Sequence, residues 1–535
     1  MNRYEGLAWQ SIPHLLEDCA TRYGKRPAIV DGGHSITYAE LRERVMAAAR
    51  GLASLDVTPG DRVAIWAPNG WQWIVAALAV QANGAAIIPL NTRFRADEIG
   101  YILCKARPRL VILSRHFLDT DYVAILDQAC AGGERIPAVT LDDATPGKGV
   151  TWSDLHERAS GVAEAVILSR IAALTPDAVS DIMFTSGTTG YPKGVIGRHG
   201  QSLRAFHRFG LDSDFRFGEE RHLIVNPFFH GLGYKLGWLM SMMFGATVYP
   251  LALFDPGKML EIVARERITI LPGPPTIFQA LLDHPDRPKL DLSSLRICMT
   301  GSTILPPALI NRIRVELGFE IILAGYGLTE CTVLATITRP GDDVATICET
   351  SGRAVPDVEV IIADERGNPL PPGEIGEIRV RGYNVMDGYF EDPEATAAAL
   401  TSDGWLRTGD LGSLDGDGNL RIHGRLKDMY IVGGFNTYPA EIENMMLAHP
   451  DIAEIAIIGV PDERLGEVGM AFIVPRRPDH ASADEITAWA KERMANYKVP
   501  RAIRFMASLP KNASGKILKI RLRELARELE LEGRP

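Results

Sequence analysis

The chain contains 535 residues, of which 46% are hydrophobic and 23% are charged, and it carries a net charge of −10 at pH 7. Its length exceeds what one hydrophobic core usually supports, so the sequence predicts two or more domains. The acidic balance argues against a nucleic-acid-binding protein, which would carry a basic face, but it is compatible with a local basic pocket for a small anionic ligand.

The cysteines and the N-terminal residues indicate the compartment. The six cysteines lack C-x-x-C spacing and have no histidines at metal-site intervals, which favours reduced thiols in a cytoplasmic protein. The first residues are polar and do not form the apolar core of a signal peptide. Two uncharged stretches, 63–92 and 236–254, are interrupted by glycine and proline, so we expect buried elements there and no transmembrane segment.

Strand-like and helical patterns alternate through the first three quarters of the chain. Thr37 and Glu40 form a capping-box pattern that predicts a helix to about residue 55. Strands are predicted at 63–67, 85–89, 110–113, 268–271, 295–300 and 321–324, and a turn-rich surface excursion at about 132–155. This alternation predicts βαβ units and layered α/β sheets.

The pattern changes near residue 425. A helix from Pro439, a strand pair at 455–459 and 470–474 and a helix at 483–494 predict a small α+β domain with a basic tail. The predicted fold is therefore α/β, with a large multi-layered α/β N-terminal domain over 1–425 and a small mobile α+β C-terminal domain over 429–535. Residues 426–428, which are charged and lack glycine, form the predicted hinge.

Residues 185–195 carry the strongest functional signal. Hydroxyls, glycines and one lysine follow an apolar strand that begins at Asp181, in the series Thr185, Ser186, Gly187, Thr188, Thr189, Gly190 and Lys193. Glycine lets a backbone approach an anion, and amides, hydroxyls and Lys193 can bind phosphate oxygens. The alternative is a polar surface linker. The residue order differs from a Walker A loop, which disfavours a P-loop kinase or ATPase.

A carboxylate follows the strand predicted at 321–324. Glu330 ends the run Gly325-Tyr326-Gly327-Leu-Thr329-Glu330, at the carboxyl edge where a parallel strand can hold Mg²⁺ against phosphate oxygens. The alternative is an acidic residue in the first turn of a helix, stabilised by the helix dipole.

These runs resemble the signature motifs of the adenylate-forming superfamily, which includes acyl-CoA synthetases, peptide-synthetase adenylation domains and beetle luciferases. The resemblance extends from about residue 10 to 520. Further motifs in the family's order lie at 404–410, 424–428, 433–436 and 510–516. The resemblance implies an enzyme that uses ATP and Mg²⁺ to convert a carboxylic acid to an acyl-adenylate, and then transfers the acyl group to coenzyme A.

The resemblance also assigns roles to individual residues. Tyr326 would form an aromatic platform for adenine, and Thr329 would donate a hydroxyl. Gly301 and Ser302 would form the other adenine-side loop, and Asp410 and Arg425 would contact the ribose. Lys516 would bridge the attacking carboxylate and the α-phosphate. Lys427 would be the hinge residue about which the small domain rotates, and this rotation would bring Gly433 and Gly434 to the pantetheine tunnel. Lys498 would contact the phosphates of coenzyme A.

The predicted acyl pocket lies in the segment 227–235. Phe229, His230, Tyr234, Lys235 and Gly325 are its predicted residues. His230 matches the family's gate between the acyl pocket and the thiol entry, where a neutral ring can act sterically. Lys235 precedes a wholly apolar run, so its amine either reaches the surface along its stem or contacts a polar group of the acid.

An acid–CoA ligase is the preferred interpretation within the superfamily. The alternatives are an adenylation enzyme that loads a carrier protein and a non-catalytic nucleotide-binding module. The segments 226–230, 271–275 and 427–431 are similar to bacterial ligases for the propanoate side chain of steroid C/D-ring fragments, while medium-chain, alicyclic and aryl acids are alternative substrates. A homodimer and a lysine acetyltransferase acting on Lys516 are the predicted protein partners.

Overall fold

The structure is a computed structural model that describes residues 6–131, 135–142, 149–185, 192–301, 305–432, 435–462, 464–494, 496–512 and 515–532. The chain forms two compact units. The first comprises Met1–Val360 and Val380–Arg407, and the second comprises Ile361–Arg379 and Thr408–Pro535.

Helices and strands alternate along the chain. Up to residue 185 they are α1 (Ile12–Tyr23), β1 (Pro27–Asp31), β2 (His34–Thr37), α2 (Tyr38–Ser54), β3 (Arg62–Trp66), α3 (Trp71–Ala82), β4 (Ala86–Pro89), α4 (Ala96–Ala106), β5 (Leu110–Leu113), β6 (His116–Phe117), β7 (Thr120–Asp121), α5 (Tyr122–Ala129), β8 (Ala138–Thr140), β9 (Val150–Thr151), α6 (Trp152–Arg158), α7 (Glu164–Ala172) and β10 (Val179–Thr185).

The alternation continues to residue 407. The elements are β11 (Lys193–Arg198), α8 (His199–Asp212), β12 (Arg221–Ile224), α9 (Gly231–Gly233), a π-helix (Tyr234–Leu239), α10 (Met240–Met243), β13 (Thr247–Pro250), α11 (Pro256–Glu266), β14 (Ile270–Pro272), α12 (Pro275–Leu282), β15 (Ile297–Gly301), α13 (Pro307–Glu316), β16 (Ile321–Tyr326), β17 (Thr336–Ile337), α14 (Val344–Glu349), β18 (Arg353–Ala354), β19 (Val358–Ala363), β20 (Gly376–Gly382) and α15 (Pro393–Ala399). Short 3₁₀ turns lie at Ala159–Gly161, Arg287–Lys289 and Thr329–Cys331.

The remaining elements belong to the second unit. They are β21 (Leu406–Leu414, which begins two residues before that unit), β22 (Leu420–Arg425), a 3₁₀ turn (Leu426–Asp428), β23 (Tyr430–Val432), β24 (Phe435–Thr437), α16 (Pro439–Leu447), β25 (Ile452–Asp462), β26 (Gly466–Pro475), α17 (Ala483–Lys491), β27 (Ala502–Phe505) and α18 (Lys519–Glu532).

Two sheets form the centre of the first unit. One has the order β11-β10-β4-β3-β5-β8-β9, and the other has the order β18-β17-β16-β15-β14-β12-β13-β1-β2. Most neighbouring strands are parallel, and β11, β17 and β2 run opposite to the others. Strands β4 and β5 are buried along their whole length, as expected for parallel strands covered on both faces.

Helix α3 explains why these sheets form one layered core. It is apolar on all sides, and it contacts β3 and β4 of one sheet and β1 of the other. A helix without a polar face is stable only when neighbours cover it all round. The predicted multi-layered α/β fold is therefore confirmed for this unit.

The second unit is an α+β assembly. Its five-stranded sheet has the order β24-β23-β26-β25, and β27 pairs parallel with β26. A four-stranded sheet has the order β19-β20-β21-β22. The helices α16 and α18 pack on β25. The predicted helix from Pro439 and the predicted strand pair are both present.

One prediction of secondary structure is wrong. Residues 132–155 do not form a plain surface excursion, because β8 and β9 extend the seven-stranded sheet and α6 begins at Trp152. The stretches 63–92 and 236–254 are buried elements, as predicted. Within the described residues, none of the helices has the length and apolarity that a bilayer crossing requires.

Candidate active site

The carboxyl ends of β15 and β16 lie side by side. Gly301 and Gly325 are register partners at the ends of these parallel strands, and Tyr326 is the buried last residue of β16. Ligands of open α/β sheets bind outside such carboxyl ends, so these predicted adenine-side residues occupy a suitable edge. Ser302, predicted in the same loop, lies outside the described residues.

The turn after β16 carries the predicted cation ligand. Thr329 and Glu330 lie in the 3₁₀ turn Thr329–Cys331, and both are half-buried. A Cβ at Gly327 would lie 2.1 Å from the main-chain oxygen of Val333, so only glycine allows the chain to return this closely. The sequence motif thus produces a tight turn that presents Glu330 at the sheet edge.

Two β-branched residues, the second and third after Glu330, adopt left-handed backbone angles. Thr332 has φ 55° and Val333 has φ 69°, a costly conformation for such side chains. The buried Asn384 stabilises it: its amide donates to the main-chain oxygens of Cys331 and Leu334, and its own main-chain oxygen accepts the Thr332 hydroxyl at 2.7 Å. The sequence analysis missed Asn384.

The predicted phosphate loop connects the two strands of a β-hairpin. Strands β10 and β11 are antiparallel, and Thr185 is the register partner of Lys193. A strand therefore follows the loop, whereas a helix follows a Walker A loop. The loop residues Ser186, Gly187, Thr188, Thr189 and Gly190 lie outside the described residues.

Tyr389, which the sequence analysis also missed, joins the hairpin to the Glu330 turn. Its hydroxyl donates to Glu330 Oε1 at 2.9 Å, and Lys193 Nζ lies 5.1 Å from the centroid of its ring. Burial, followed by the negative charge of Glu330, raises the pKa of Tyr389. The phenol therefore remains a neutral hydrogen-bond donor between a cation and an anion.

Glu330 fits a magnesium site in which the protein supplies one carboxylate and most other ligands come from ATP and water. Among the described residues no group of three or more histidine, cysteine or acidic side chains could hold a metal ion. Mg²⁺ commonly takes one or two protein carboxylates, with phosphate oxygens and water as its other ligands. Tyr389 engages Oε1 of Glu330, so Oε2 would be the oxygen available to a cation.

His230 begins a broken helix after β12. The helix runs from Gly231 through the π-helical segment Tyr234–Leu239 to Met243, and π-helical turns frequently mark functional sites. His230 Nδ1 accepts the Leu232 amide at 3.2 Å, which places the ring proton on Nε2. Burial lowers the pKa of His230. A neutral ring is thus available for the predicted steric gate.

The gate residue is linked to the Glu330 turn by close packing. A Cβ at Gly231 would lie 2.2 Å from Cγ2 of Val333. Phe229, the predicted pocket residue on the other side of His230, is half-buried. The acyl-pocket segment and the turn at the end of β16 therefore meet.

Tyr234 and Lys235 are both buried in the interior of the first unit. The Tyr234 hydroxyl accepts the Gln81 amide at 2.8 Å, and Lys235 Nζ lies 3.0 Å from Asp181 Oδ1. Lys235 is 2% exposed, so the alternative in which its amine reaches the surface is wrong: the buried carboxylate of Asp181 offsets its charge instead. Contact of Lys235 with the acid stays a prediction.

The predicted ribose-binding residues are neighbours in the second unit. Asp410 of β21 is the register partner of Arg425 of β22, and Arg425 Nε lies 3.4 Å from Asp410 Oδ1. Asp410 is buried, and its amide is held by the hydroxyl of Thr408 at 3.1 Å. The two side chains form a paired acceptor and donor, as a sugar with two hydroxyls requires.

Lys516 lies in the same unit as this pair, in a small hairpin. Asn512 closes the hairpin, because its side-chain oxygen accepts the Lys516 amide at 2.8 Å. The residue as a whole is exposed, but partial burial of the amine, followed by the charge of Arg425, lowers the pKa of Lys516. The same two causes lower the pKa of Lys427, which lies in the 3₁₀ turn after β22.

Of the residues predicted to contact coenzyme A, the structure describes only Lys498. Lys498 pairs with Glu441, so its charge is offset within the second unit. Gly433 and Gly434 lie outside the described residues. Their roles therefore stay predictions from the sequence resemblance.

Comparison with known proteins identifies the family of the chain. The AMP-binding enzyme family matches residues 16–390, and the AMP-binding enzyme C-terminal domain matches residues 441–516. The chain is 46% identical, over 96% of its length and 98% of the relative, to a 7a-methyl-1,5-dioxo-octahydro-1H-inden-4-yl propanoyl:CoA ligase of Rhodococcus jostii (strain RHA1). It is 45% identical, over 96% and 99%, to the ligase of that name from Mycobacterium tuberculosis (strain ATCC 25618 / H37Rv).

A solved structure has the same architecture. The anthranilate CoA ligase AuaEII in complex with anthranoyl-AMP superposes with a TM-score of 0.87, at 25% identity, over 99% of this chain and 100% of that one. The chain belongs to the AMP-binding enzyme family, the adenylate-forming enzymes. Within that family it is an AMP-forming acid–CoA ligase, which confirms the predicted enzyme class and the use of ATP.

Proposed function

We propose that the protein activates the propanoate side chain of a bicyclic dioxo acid and transfers the acyl group to coenzyme A. The observation that carries the adenylation step is the arrangement of Lys193, Tyr389 and Glu330 beside the phosphate-loop hairpin. The substrate is supported by the names of two relatives that are 46% and 45% identical over almost the whole chain.

In the first half-reaction, a carboxylate oxygen of the acid attacks the α-phosphorus of ATP. A P–O bond forms, the bond to the β-phosphate oxygen breaks, and pyrophosphate leaves. Because two anions must meet, the protein's main task is to neutralise and position charge. Lys193 would neutralise phosphate oxygens, and Lys516 would bridge the attacking carboxylate and the α-phosphate. Mg²⁺, held by Glu330, would offset further charge on the phosphates.

In the second half-reaction, the sulfur of coenzyme A attacks the carbonyl carbon of the acyl-adenylate. The C–S bond forms, the C–O bond to AMP breaks, and AMP leaves with the electron pair while the thiol proton passes to solvent. A neutral His230 would separate the acyl pocket from the thiol entry without taking part in proton transfer. Asp410 and Arg425 would hold the ribose through both steps.

The test is a product and substrate assay with ATP, Mg²⁺ and coenzyme A. We expect AMP, pyrophosphate and the acyl-CoA to be resolved by chromatography, and ADP with phosphate would contradict the reaction. A panel should compare the bicyclic dioxo propanoic acid with a medium-chain fatty acid, ferulate and anthranilate. If a straight-chain or aryl acid has the highest kcat/KM, the substrate proposal is wrong although the ligase class stands.

The same assay addresses the remaining alternatives. Transfer of the acyl group to a carrier protein in preference to coenzyme A would favour a loading enzyme. A cytoplasmic location, a homodimer and acetylation of Lys516 stay predictions. Size-exclusion chromatography with light scattering would test the dimer, and mass spectrometry of protein from its host would test the acetylation.

A further inference from the structure

Tyr389 separates two opposite charges that would otherwise attract each other. Lys193 lies over the face of its ring, while Glu330 accepts its hydroxyl. No ion pair joins Lys193 to Glu330 within the described part of the chain. A direct pair would neutralise both groups and leave neither free for an anionic, metal-bound ligand.

The main chain holds this arrangement from both sides. Tyr389 forms a β-bridge with Val195, and the amide of Phe390 donates to the Gly194 oxygen at 2.7 Å, which ties the segment to the Lys193 strand. The amide of Met386 donates to the main-chain oxygen of Glu330 at 2.8 Å. Five consecutive residues, 386–390, therefore span the distance between the two charged groups.

The hydroxyl has a different task from the ring. A hydrogen bond from a neutral phenol fixes the plane of the Glu330 carboxylate and engages one of its oxygens. The aromatic face attracts the Lys193 ammonium through its quadrupole without removing its charge. The two parts of one side chain can therefore be tested separately.

We propose that Tyr389 is a positioning residue of the adenylation site, which orients Glu330 toward a divalent cation and keeps Lys193 available for the phosphates. This rests on the proposed function, because the cation and the phosphates are those of ATP. Tyr389 itself would make no bond to the reacting atoms.

Three variants separate these effects. Tyr389→Phe removes the hydroxyl and keeps the ring, and Tyr389→Leu removes both. Tyr38→Phe is the matched control, because its buried hydroxyl donates to the Ala246 oxygen at 2.7 Å within the same unit and contacts none of the predicted site residues. Thermal unfolding of each variant shows whether a lost hydrogen bond has acted through stability alone.

The main readout is calorimetric binding of ATP to the whole protein, with and without Mg²⁺. For Tyr389→Phe we expect the Mg²⁺ concentration that half-saturates ATP binding to rise roughly tenfold, the scale of one hydrogen bond to a charged group, while metal-free ATP binds as before. For Tyr389→Leu we expect metal-free ATP to bind several-fold more weakly as well, because Lys193 can then pair with Glu330. Tyr38→Phe should change neither value.

Unchanged Mg²⁺ dependence in Tyr389→Phe, or an equal shift in Tyr38→Phe, would overturn the proposal. The metal requirement of first-turnover pyrophosphate release should rise in parallel with the binding data. If the native protein formed no AMP from any acid, the proposed function would fail, yet the calorimetric comparison would still decide the role of Tyr389.

Discussion

In the first unit, Lys193 and Glu330 carry opposite charges on two sides of Tyr389, whereas in the second unit Arg425, Lys427 and Lys516 place like charges close together. The first arrangement is held by hydrogen bonds to the main-chain oxygens of Gly194 and Glu330. In the second, burial lowers the pKa of both lysines, and the nearby charge of Arg425 lowers it further.

The difference indicates what each region requires of a ligand. In the first site, the positive charge of Lys193 and the negative charge of Glu330 balance each other, so the position of a ligand there would depend mainly on geometry. The second has an excess of positive charge, which Asp410 and Asp428 reduce in part, so an anion would stabilise it. In the proposed reaction the phosphate of the acyl-adenylate would supply such an anion, and Lys516 would contact it.

The largest effect is expected from removal of the Lys516 charge. Lys516→Ala should slow pyrophosphate release in the first turnover by roughly 10²–10⁴-fold, the scale for loss of a transition-state charge partner. Synthetic acyl-adenylate and coenzyme A should still react at nearly the native rate. Rapid-quench assays of the two half-reactions measure both values.

Lys511→Ala is the matched control for Lys516, because Lys511 lies in the same hairpin and pairs with Glu454 at 2.7 Å. It should leave both half-reactions close to native. Equal damage to both half-reactions in Lys516→Ala would count against a role confined to adenylation.

The next largest effect concerns the buried pair beneath the gate segment. Lys235→Met leaves the Asp181 carboxylate buried without its cation, which should lower the free energy of unfolding by about 3–5 kcal/mol. Adding Asp181→Asn removes the unpaired charge and should restore part of the loss. Denaturant unfolding followed by intrinsic fluorescence gives the values.

A surface pair supplies the comparison for this buried one. Arg109→Met breaks an exposed pair with Asp56 and should change the unfolding free energy by less than about 1 kcal/mol. If Lys235→Met cost no more than Arg109→Met, the ion pair would not be a structural link between strand β10 and the π-helical segment.

A smaller and more selective effect is expected at the predicted hinge. Lys427→Pro fixes φ at this residue and restricts Leu426, so it should stiffen the joint after β22. Thioester formation should slow by roughly tenfold or more, while adenylation changes much less. Lys427→Ala removes the charge without stiffening the chain. Parallel losses in both half-reactions would indicate a binding or folding role.

The sequence predicted the elements whose pattern is local. Strand β5 lies where the apolar run 110–113 predicted it, and the capping box of Thr37 and Glu40 opens helix α2. The short strands β8 and β9 were missed, because two or three residues show no period of alternation and their stability comes from pairing at a sheet edge.

The sequence predicted the candidate site residues that lie together in short runs, such as 185–193 and 325–330, but not those that lie outside such runs. Tyr389 lies 59 residues from Glu330 in sequence, and no local pattern indicates that the two residues share a hydrogen bond. The same holds for Asn384. Asp181 left a usable signal: a lysine inside an apolar run requires a buried counter-charge, and Asp181 begins an apolar strand.

The smallest expected effect concerns the stability of the first unit at acidic pH, which depends on two buried histidines. Burial lowers the pKa of His199 and of His222 to about 3, so both rings stay neutral in the folded state. In the unfolded chain their pKa is about 6.5, and below that pH protonation favours the unfolded state. Stability should therefore fall as the pH decreases from about 6.5 toward 3. Between pH 6.5 and 5.0 each ring should contribute a loss of about 2 kcal/mol.

His222→Asn isolates one of these contributions, because its side-chain NH2 can replace Nδ1–H as the donor to Ser241 Oγ, which lies 2.8 Å away and itself donates to the Gly237 oxygen. Urea unfolding at pH 6.5 and pH 5.0 should show a pH dependence that is weaker than native by the equivalent of about one proton. An unchanged dependence would mean that His222 becomes protonated in the folded state, or that the unit opens locally around it before it unfolds. In either case, β12 would be less rigid than the complete burial of His222 implies. The contrast between a fixed first site and an exposed second one would then have to rest on other residues.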